Sequence, residues 1–163
     1  MDLVIRPATP DDADDIARIY NQSVAGSTAT FDTREHTGKH RAEWLAAHGG
    51  RHPVLVAVAD GAVVGWGSLS LWNPRGAYAD TVEISAYVDE ACARRGVGRA
   101  IDTALVEAAR EHGHHAIIAQ ISAENEASMR LIESMGFERV GTLREVGRKF
   151  DRWVDVALYE RLL

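Results

Sequence analysis

The heptapeptide Arg94-Arg95-Gly96-Val97-Gly98-Arg99-Ala100 is the most informative stretch of this sequence. It follows a β-rich segment and opens an apolar pattern with helical spacing. Glycines let a backbone approach a ligand closely, and the free amides of a helix N-terminus bind anions. Three arginines add positive charge here, although the chain as a whole has a net charge of −6. The stretch therefore predicts a strand-to-helix loop that binds a phosphate or pyrophosphate.

Two common phosphate-binding loops do not fit this spacing. A P-loop ends in Gly-Lys-Ser/Thr, whereas Gly98 is followed by Arg99 and Ala100. A dinucleotide-binding fingerprint needs a third glycine three residues after the second, and Ile101 stands there. That fingerprint also follows the first strand of its fold, whereas this loop follows the fourth predicted strand. Both interpretations are excluded.

A third loop fits, and several further motifs accompany it. Arg95–Ala100 matches the Arg/Gln-x-x-Gly-x-Gly/Ala loop of the GNAT acetyltransferase superfamily, which holds the pyrophosphate of acetyl-coenzyme A. Asn125–Ser128 followed by Gly136-Phe137 resembles a second motif of that superfamily. Thr81–Val88 resembles the fourth strand of one branch, Thr-Val-Glu-x-Ser-x-Tyr-Val. With the stretches 72–75, 146–150 and 153–155, the chain resembles the phosphinothricin and methionine sulfone acetyltransferase family from Ile5 to its end.

The pattern of elements predicts an α/β fold in one domain spanning residues 1–163. The predicted order is β-α-α-β-β-β-α-β-α-β-β, a mixed sheet with helices on both faces. The resemblance implies the GNAT fold, in which the sheet is mostly antiparallel and the fourth and fifth strands splay apart. The predicted strands are 3–6, 54–59, 63–71, 81–88, 116–121, 137–143 and 153–159, and the predicted helices are 9–24, 39–48, 96–112 and 125–135.

The resemblance also implies how the chain holds acetyl-coenzyme A. The backbone of Ala86 to Val88 is expected to pair with the pantetheine arm like an added strand. The amides of the glycine loop are expected to bind the pyrophosphate, and Asn125 and Ser134 to contact the cofactor from the other side. The expected cofactor-binding residues are Ala86, Tyr87, Val88, Arg94, Arg95, Gly96, Val97, Gly98, Arg99, Asn125 and Ser134.

For catalysis the expected base is Glu83, on the fourth strand. An alkylammonium ion is not nucleophilic, so a base must remove its proton, directly or through water. A backbone amide near Tyr87 or Val88 is expected to stabilise the developing oxyanion. The chain departs from the superfamily at Ile132, four residues before Gly136, where many members carry a tyrosine or histidine that protonates the thiolate. Isoleucine has no proton to donate, so the thiolate is expected to take its proton from water or from the amine.

The family's substrates are small amino acids such as phosphinothricin, methionine sulfone and methionine sulfoximine. Arg75 and Tyr78 are expected to bind a carboxylate or a second polar group of such a substrate, because arginine grips carboxylates with two parallel hydrogen bonds. Phe31 is expected to form an apolar wall, and Glu83 to contact the amine. Two alternatives stay open: another amine (a protein N-terminus, a polyamine or an aminoglycoside), and an acetyl-coenzyme A-binding module without catalysis.

Composition restricts the remaining possibilities. Of 163 residues, 46% are hydrophobic and 26% charged, which is typical of a folded globular protein. The acidic net charge disfavours nucleic acid as a partner, and no apolar run is long enough to span a membrane. The single cysteine, Cys92, excludes an internal disulfide and favours a cytoplasmic location. The seven histidines lack the spacing of metal ligands, so no metal is expected. The resemblance implies a homodimer.

Overall fold

A computed structural model describes residues 1–163. Its core is one seven-stranded sheet with the strand order β1-β2-β3-β4-β5-β7-β6, and only the pair β4–β5 is parallel. The strands are β1 Leu3–Pro7, β2 Val54–Ala59, β3 Ala62–Leu71, β4 Thr81–Val88, β5 Ala116–Ser122, β6 Glu138–Lys149 and β7 Arg152–Leu162. The helices are α1 Ala13–Gly26, α2 Gly38–Ala46, α3 Val97–Glu111 and α4 Glu126–Ser134. The predicted element order and fold class are confirmed.

Both faces of the sheet are covered by helices, as the sequence predicted. Strand β2 shows why, because its side chains are apolar on both faces and alternate between them. Val54 and Val56 pack with α1 in one cluster, and Leu55 and Ala57 pack with α3 in the other. No helix of the chain is long and apolar enough to cross a membrane.

The pair β4–β5 opens after three residues. Thr81, Val82 and Glu83 pair with Ala116, Ile117 and Ile118, and no pairing continues beyond them, although β4 runs on to Val88 and β5 to Ser122. Beyond Glu83 one edge of β4 is still bonded to β3, and the other edge has no strand partner. The predicted splay of the fourth and fifth strands is therefore confirmed, and it creates a cleft in the middle of the sheet.

Two elements differ from the prediction. Strands β6 and β7 form a hairpin of 12 and 11 residues, longer than expected, because a bulge between Leu143 and Gly147 interrupts the alternating pattern. In α2, Trp44 and Leu45 were expected on the buried side. Both are half-buried and pack against the α1 cluster, as expected, but the most buried residue of this helix is Arg41, which the pattern did not predict.

Candidate active site

The cleft between β4 and β5 continues into a cavity of about 500 Å³ that reaches the glycine loop. Its walls come from β4, the loop, the first turns of α3 and the start of α4. Most of the residues predicted to bind the cofactor lie together there. They are Ala86, Tyr87, Val88, Arg94, Gly96, Val97, Gly98, Arg99 and Asn125.

The glycine loop presents free amides to this cavity. Gly96 adopts a left-handed conformation with φ of 82°, which suits glycine and turns the chain into α3. The amide of Ala100 is the first of the helix to find a backbone acceptor, the carbonyl of Gly96 at 3.0 Å. The three preceding amides, of residues 97 to 99, have no backbone acceptor and point out of a helix N-terminus, an arrangement that binds anions.

Gly98 leaves space in the cavity that the protein itself does not use. A Cβ at this position would meet nothing closer than the Leu131 side chain at 3.6 Å, which is an ordinary contact. The fold therefore tolerates a larger residue at Gly98. The space beside its backbone suits a ligand that lies against the loop.

The arginines of the loop differ in their placement. Arg94 and Arg99 line the cavity, and Arg95 does not. The Arg99 guanidinium donates a hydrogen bond to Ser134 Oγ at 2.8 Å, and Ser134 Oγ donates to the carbonyl of Leu131 at 2.6 Å. Ser134 thus lies outside the cavity wall and fixes the orientation of Arg99.

Asn125 sits where the cleft meets α4. Its side-chain oxygen accepts a hydrogen bond from the amide of Ser128 at 3.2 Å, so it caps the helix. Because Oδ1 is used for the cap, the Nδ2 amide remains as a donor toward the cavity that Asn125 lines. The role predicted for Asn125 as a cofactor contact stays a prediction.

Glu83 occupies the last position at which β4 and β5 are paired. Burial raises the pKa of its carboxyl group, and a hydrogen bond from Gln120 Nε2 at 3.2 Å acts in the opposite direction. A carboxylate with a raised pKa is a stronger base than a solvated one. The structure thus places this carboxyl group at the point where the sheet splits, and its predicted role as the base stays a prediction.

The deep end of the cleft contains one side chain that sequence analysis did not single out. A smaller cavity of about 80 Å³ is lined by both Ile132 and Asp102, and Asp102 also lines the larger cavity. Asp102 is only 6% exposed and has no hydrogen-bond or ion-pair partner, and burial raises its pKa to about 7. Sequence analysis could have found Asp102, because it is an acidic residue on the otherwise apolar face of α3.

A second pocket, of about 310 Å³, lies on the opposite side of β4, under α1 and α2. Residues 83, 85 and 87 alternate with 84, 86 and 88, so Glu83 shares this face with Ser85 and Tyr87. We call this the aromatic pocket. Its lining residues are Tyr20, Asp32, His36, His40, Arg41, Trp44, Trp66, Ser68, Ser70, Ser85 and Tyr87.

None of the four predicted substrate contacts lines a cavity of the cleft or the aromatic pocket; these contacts are Phe31, Arg75, Tyr78 and Glu83. Arg75 and Tyr78 are exposed in the connection between β3 and β4, which leads directly to Glu83. Phe31 lies against β6, where a Cβ on Gly147 would come within 2.2 Å of its ring. Their predicted roles stay predictions.

The segment that carries Phe31 is anchored by Lys149, which sequence analysis also missed. The Lys149 ammonium is buried and donates hydrogen bonds to the carbonyls of Ser23, Ser27 and Thr30 at 3.2, 2.7 and 2.9 Å. These carbonyls lie at the C-terminal end of α1 and just beyond it, where a cation is favourable. Lys149 thereby ties the α1–α2 connection to β6.

Comparison with known proteins identifies the family. Residues 5–158 match the acetyltransferase (GNAT) domain family. The chain belongs to the GNAT acetyltransferases. It is 37% identical over 166 residues to the phosphinothricin N-acetyltransferase of Streptomyces coelicolor, covering 99% of this chain and 97% of that protein. It is 36% identical over 162 residues to an L-methionine sulfoximine/L-methionine sulfone acetyltransferase of Pseudomonas paraeruginosa, covering 98% and 94%.

Solved GNAT structures agree with this. A GNAT superfamily phosphinothricin acetyltransferase from Sinorhizobium meliloti, in complex with acetyl-coenzyme A, superimposes with a TM-score of 0.96 at 31% identity. The superposition covers 100% of this chain and 89% of that one. The predicted family, fold and acyltransferase class are confirmed for this GNAT chain.

Proposed function

We propose that the protein transfers an acetyl group from acetyl-coenzyme A to the α-amino group of a small amino acid with a polar oxygen group on its side chain. The observation that carries this proposal is the position of Glu83 at the split between β4 and β5. Its neighbours connect the two sides: Ile84 and Ser85 on β4 line the cleft, and Ser70, its register partner on β3, lines the aromatic pocket. A transferase that joins two substrates across the sheet needs its base at that point.

The cleft fits acetyl-coenzyme A. The free amides of the loop and the arginines Arg94 and Arg99 suit its pyrophosphate. The unpaired edge of β4 offers Ala86 and Val88 as backbone partners for the amides of the pantetheine arm. When bound, acetyl-coenzyme A supplies the thioester carbonyl carbon that the amine attacks.

The residues of the chain manage the proton and the charge. Glu83 takes a proton from the ammonium group of the acceptor, directly or through water, and so produces the neutral nucleophile. A backbone amide at Tyr87 or Val88 donates to the carbonyl oxygen as negative charge develops on it. Ile132 has no proton to give, so the departing sulfur takes its proton from water or from the amine.

The acceptor class follows from the family relatives, whose names specify phosphinothricin and methionine sulfone or sulfoximine. Each of these amino acids carries a carboxylate and a second oxygen-bearing group. Arg75 and Tyr78, at the entrance of β4, suit the carboxylate. Phe31 provides an apolar wall from the segment that Lys149 anchors.

We propose that the chain works as one acetyltransferase domain in a cytoplasmic homodimer. Strand β6 is an edge strand of the sheet and exposes a row of large apolar side chains, which is typical of an interface. The exposed apolar side chains of the β6–β7 hairpin are Val140, Leu143, Val146, Phe150 and Trp153.

The test is thiol release from acetyl-coenzyme A with a panel of amines. The panel contains methionine sulfone, methionine sulfoximine, phosphinothricin, unmodified amino acids, a polyamine and a short peptide. We expect release with the oxidised or phosphorus-bearing amino acids. Glu83→Gln is expected to lower kcat/KM about 10²- to 10⁴-fold, with the affinity for coenzyme A unchanged by calorimetry.

Gln120→Ala is the matched control, since it removes the hydrogen-bond partner of Glu83 and leaves the base. Its activity should stay within about tenfold of the wild type. Release only with the polyamine or the peptide would replace the proposed acceptor class. Cofactor binding without any release would favour a module that binds acetyl-coenzyme A without catalysis.

A further inference from the structure

The floor of the aromatic pocket is a row of side chains on β3 and β4. In the antiparallel register, three residues of β3 stand opposite three of β4, and all six point to the face covered by α1 and α2. The row begins with an aromatic pair and continues with two serines, and its third pair contains Glu83, which lies one position beyond the β4 residues that line the pocket. The pairs are Trp66 with Tyr87, Ser68 with Ser85, and Ser70 with Glu83.

Arg41 lies above the aromatic end of this row. Its side chain is only 4% exposed, and its guanidinium makes no hydrogen bond and no ion pair. The guanidinium carbon lies 4.2 Å from the ring centre of Tyr20, 4.5 Å from that of Trp44 and 4.9 Å from that of Trp66. The faces of these rings stabilise the positive charge of the guanidinium. The N–H groups, which point outward in the guanidinium plane, receive no hydrogen-bond acceptor from the rings.

A buried guanidinium without an acceptor is costly, because each buried polar group normally has a partner. Burial lowers the pKa of Arg41, yet arginine keeps its proton at neutral pH. Trp66 presents a second buried donor at the same site, since its Nε1 also has no acceptor. Both of these nitrogens, Arg41 Nε and Trp66 Nε1, are themselves buried, so the donors that the pocket offers to a ligand are the remaining N–H groups of the Arg41 guanidinium, which also have no acceptor.

The acidic group of the pocket is already occupied. Asp32 accepts a hydrogen bond from the Tyr20 hydroxyl and lies 3.2 Å from His36 Nε2. It forms no ion pair with Arg41. Burial and the charge of Arg41 lower the pKa of His36, so this imidazole is neutral at pH 7. Arg41 is therefore the one charged donor of the pocket that has no partner.

The distance along the strand sets the kind of ligand. Glu83 and Tyr87 are four residues apart, which is about 13 Å at ~3.3 Å per residue. A hydrogen bond of about 3 Å at each end leaves roughly 7 Å between the amine at Glu83 and an oxygen near Arg41. The α-carboxylate of an amino acid is only two bonds from its amine. A group at the end of an extended side chain spans this distance.

We infer that the guanidinium of Arg41 binds the distal oxygen group of the acceptor amino acid: a sulfone, sulfoximine or phosphinate, or another group with the same oxygens. This inference rests on the proposed function, because it takes Glu83 as the site of the amine. Arg41 is then the residue that selects oxidised side chains over apolar ones of equal length. The α-carboxylate remains with Arg75.

The experiment combines one substitution with three acceptors. Methionine sulfone is compared with norleucine, which has the same length without the oxygens, and with methionine sulfone amide, which lacks the carboxylate. For Arg41→Met we expect kcat/KM to fall about 10- to 100-fold for methionine sulfone and its amide, chiefly through KM. The kcat/KM for norleucine should change by no more than about twofold, because norleucine has no oxygen that binds the guanidinium.

Control variants separate recognition from folding. Arg34→Met removes an exposed arginine of the α1–α2 connection that has no ion-pair partner. It should leave kcat/KM unchanged for all three acceptors. Arg41→Lys keeps the charge without the planar fork and should recover part of the preference. Thermal unfolding of each variant shows whether it is folded.

Other outcomes would overturn the inference. An equal loss with all three acceptors would make Arg41 a structural residue of the aromatic cluster. A loss with methionine sulfone and norleucine that spares the amide would assign Arg41 to the α-carboxylate. No change with any acceptor would also refute it.

A binding measurement keeps this inference separate from the proposed function. Dimethylphosphinate is titrated against the protein while tryptophan emission is recorded, because Trp44 and Trp66 line the pocket. We expect saturable binding to the wild type that Arg41→Met abolishes. Saturation without any acetyl transfer would refute the proposed function and leave the anion site; transfer without an Arg41-dependent signal would refute the anion site alone.

Discussion

The two sides of β4 present different kinds of groups to a ligand. On the cleft side the contacts are mostly backbone: free amides at the start of α3, an unpaired strand edge, and space beside Gly98. On the side of the aromatic pocket the contacts are side chains from α1, α2, β3 and β4, packed around Arg41. The names of the relatives specify different acceptors, phosphinothricin in one and methionine sulfoximine or sulfone in another.

This difference has a physical basis. A pyrophosphate and a pair of amides can be bound by backbone groups, which any sequence possesses once the loop has its shape. Distinguishing one amino acid from another requires groups that only side chains provide, held in place by packing and buried hydrogen bonds. The cleft should therefore tolerate side-chain changes better than the aromatic pocket, except where its space is filled.

The largest effect is expected at Asp102, the one buried acid of the cleft. The folded state keeps its proton up to about pH 7, and the unfolded chain loses it near pH 4. The unfolded state therefore binds fewer protons between these pH values. The Asp102 contribution to the free energy of unfolding falls across this window, by up to about 4 kcal/mol.

Asp102→Asn should remove this fall, so that the variant gains stability over the wild type from pH 4 to pH 7 and keeps a constant advantage above it. Chemical denaturation at several pH values measures the difference. Glu111→Gln, on the exposed face of the same helix, is the control. Parallel stability curves for wild type and Asp102→Asn would show that Asp102 is ionised in the fold.

The next effect tests the claim that the cleft binds through its backbone. Gly98→Val fills the space beside the loop, and we expect the affinity for acetyl-coenzyme A to fall about 100-fold, or roughly 2.7 kcal/mol. Thermal stability should change little, since the nearest atom to a new Cβ is 3.6 Å away. Gly98→Ala should give a smaller loss of affinity. A fall in stability with unchanged affinity would contradict this account.

The smallest expected effect tests the side of β4 that carries the aromatic pocket. Lys149→Met removes the side-chain donor of the Ser23, Ser27 and Thr30 carbonyls, of which Ser23 keeps the amide of Ser27, and we expect a loss of about 2 kcal/mol of stability. KM for the amino acid should rise while the affinity for acetyl-coenzyme A stays the same, because the anchored segment carries Phe31. The control is Arg148→Met, an exposed neighbour. Equal losses for both ligands would show that the two sides are not independent.

The sequence predicted the cleft well because its signals are local. Gly96 and Gly98 specify the turn and the approach within a few residues, and the alternation of Thr81–Val88 specifies the strand that leads to it. The hairpin of β6 and β7 was underestimated, because the bulge near Gly147 interrupts the alternation that marks a strand. Arg95 belongs to the loop motif and Ser134 was expected near the cofactor, but neither lines the cavity.

By itself the sequence determined the element order and the motifs that show the family, since each is encoded by neighbouring residues and their spacing, and the resemblance to that family then predicted the splayed strands. Only the tertiary structure decided that Arg41 and Asp102 are buried without partners and that Lys149 caps α1. On an amphipathic pattern a charged residue indicates solvent. Whether it faces water, a ligand or a distant carbonyl depends on segments far apart in the chain, which come together only when the protein folds.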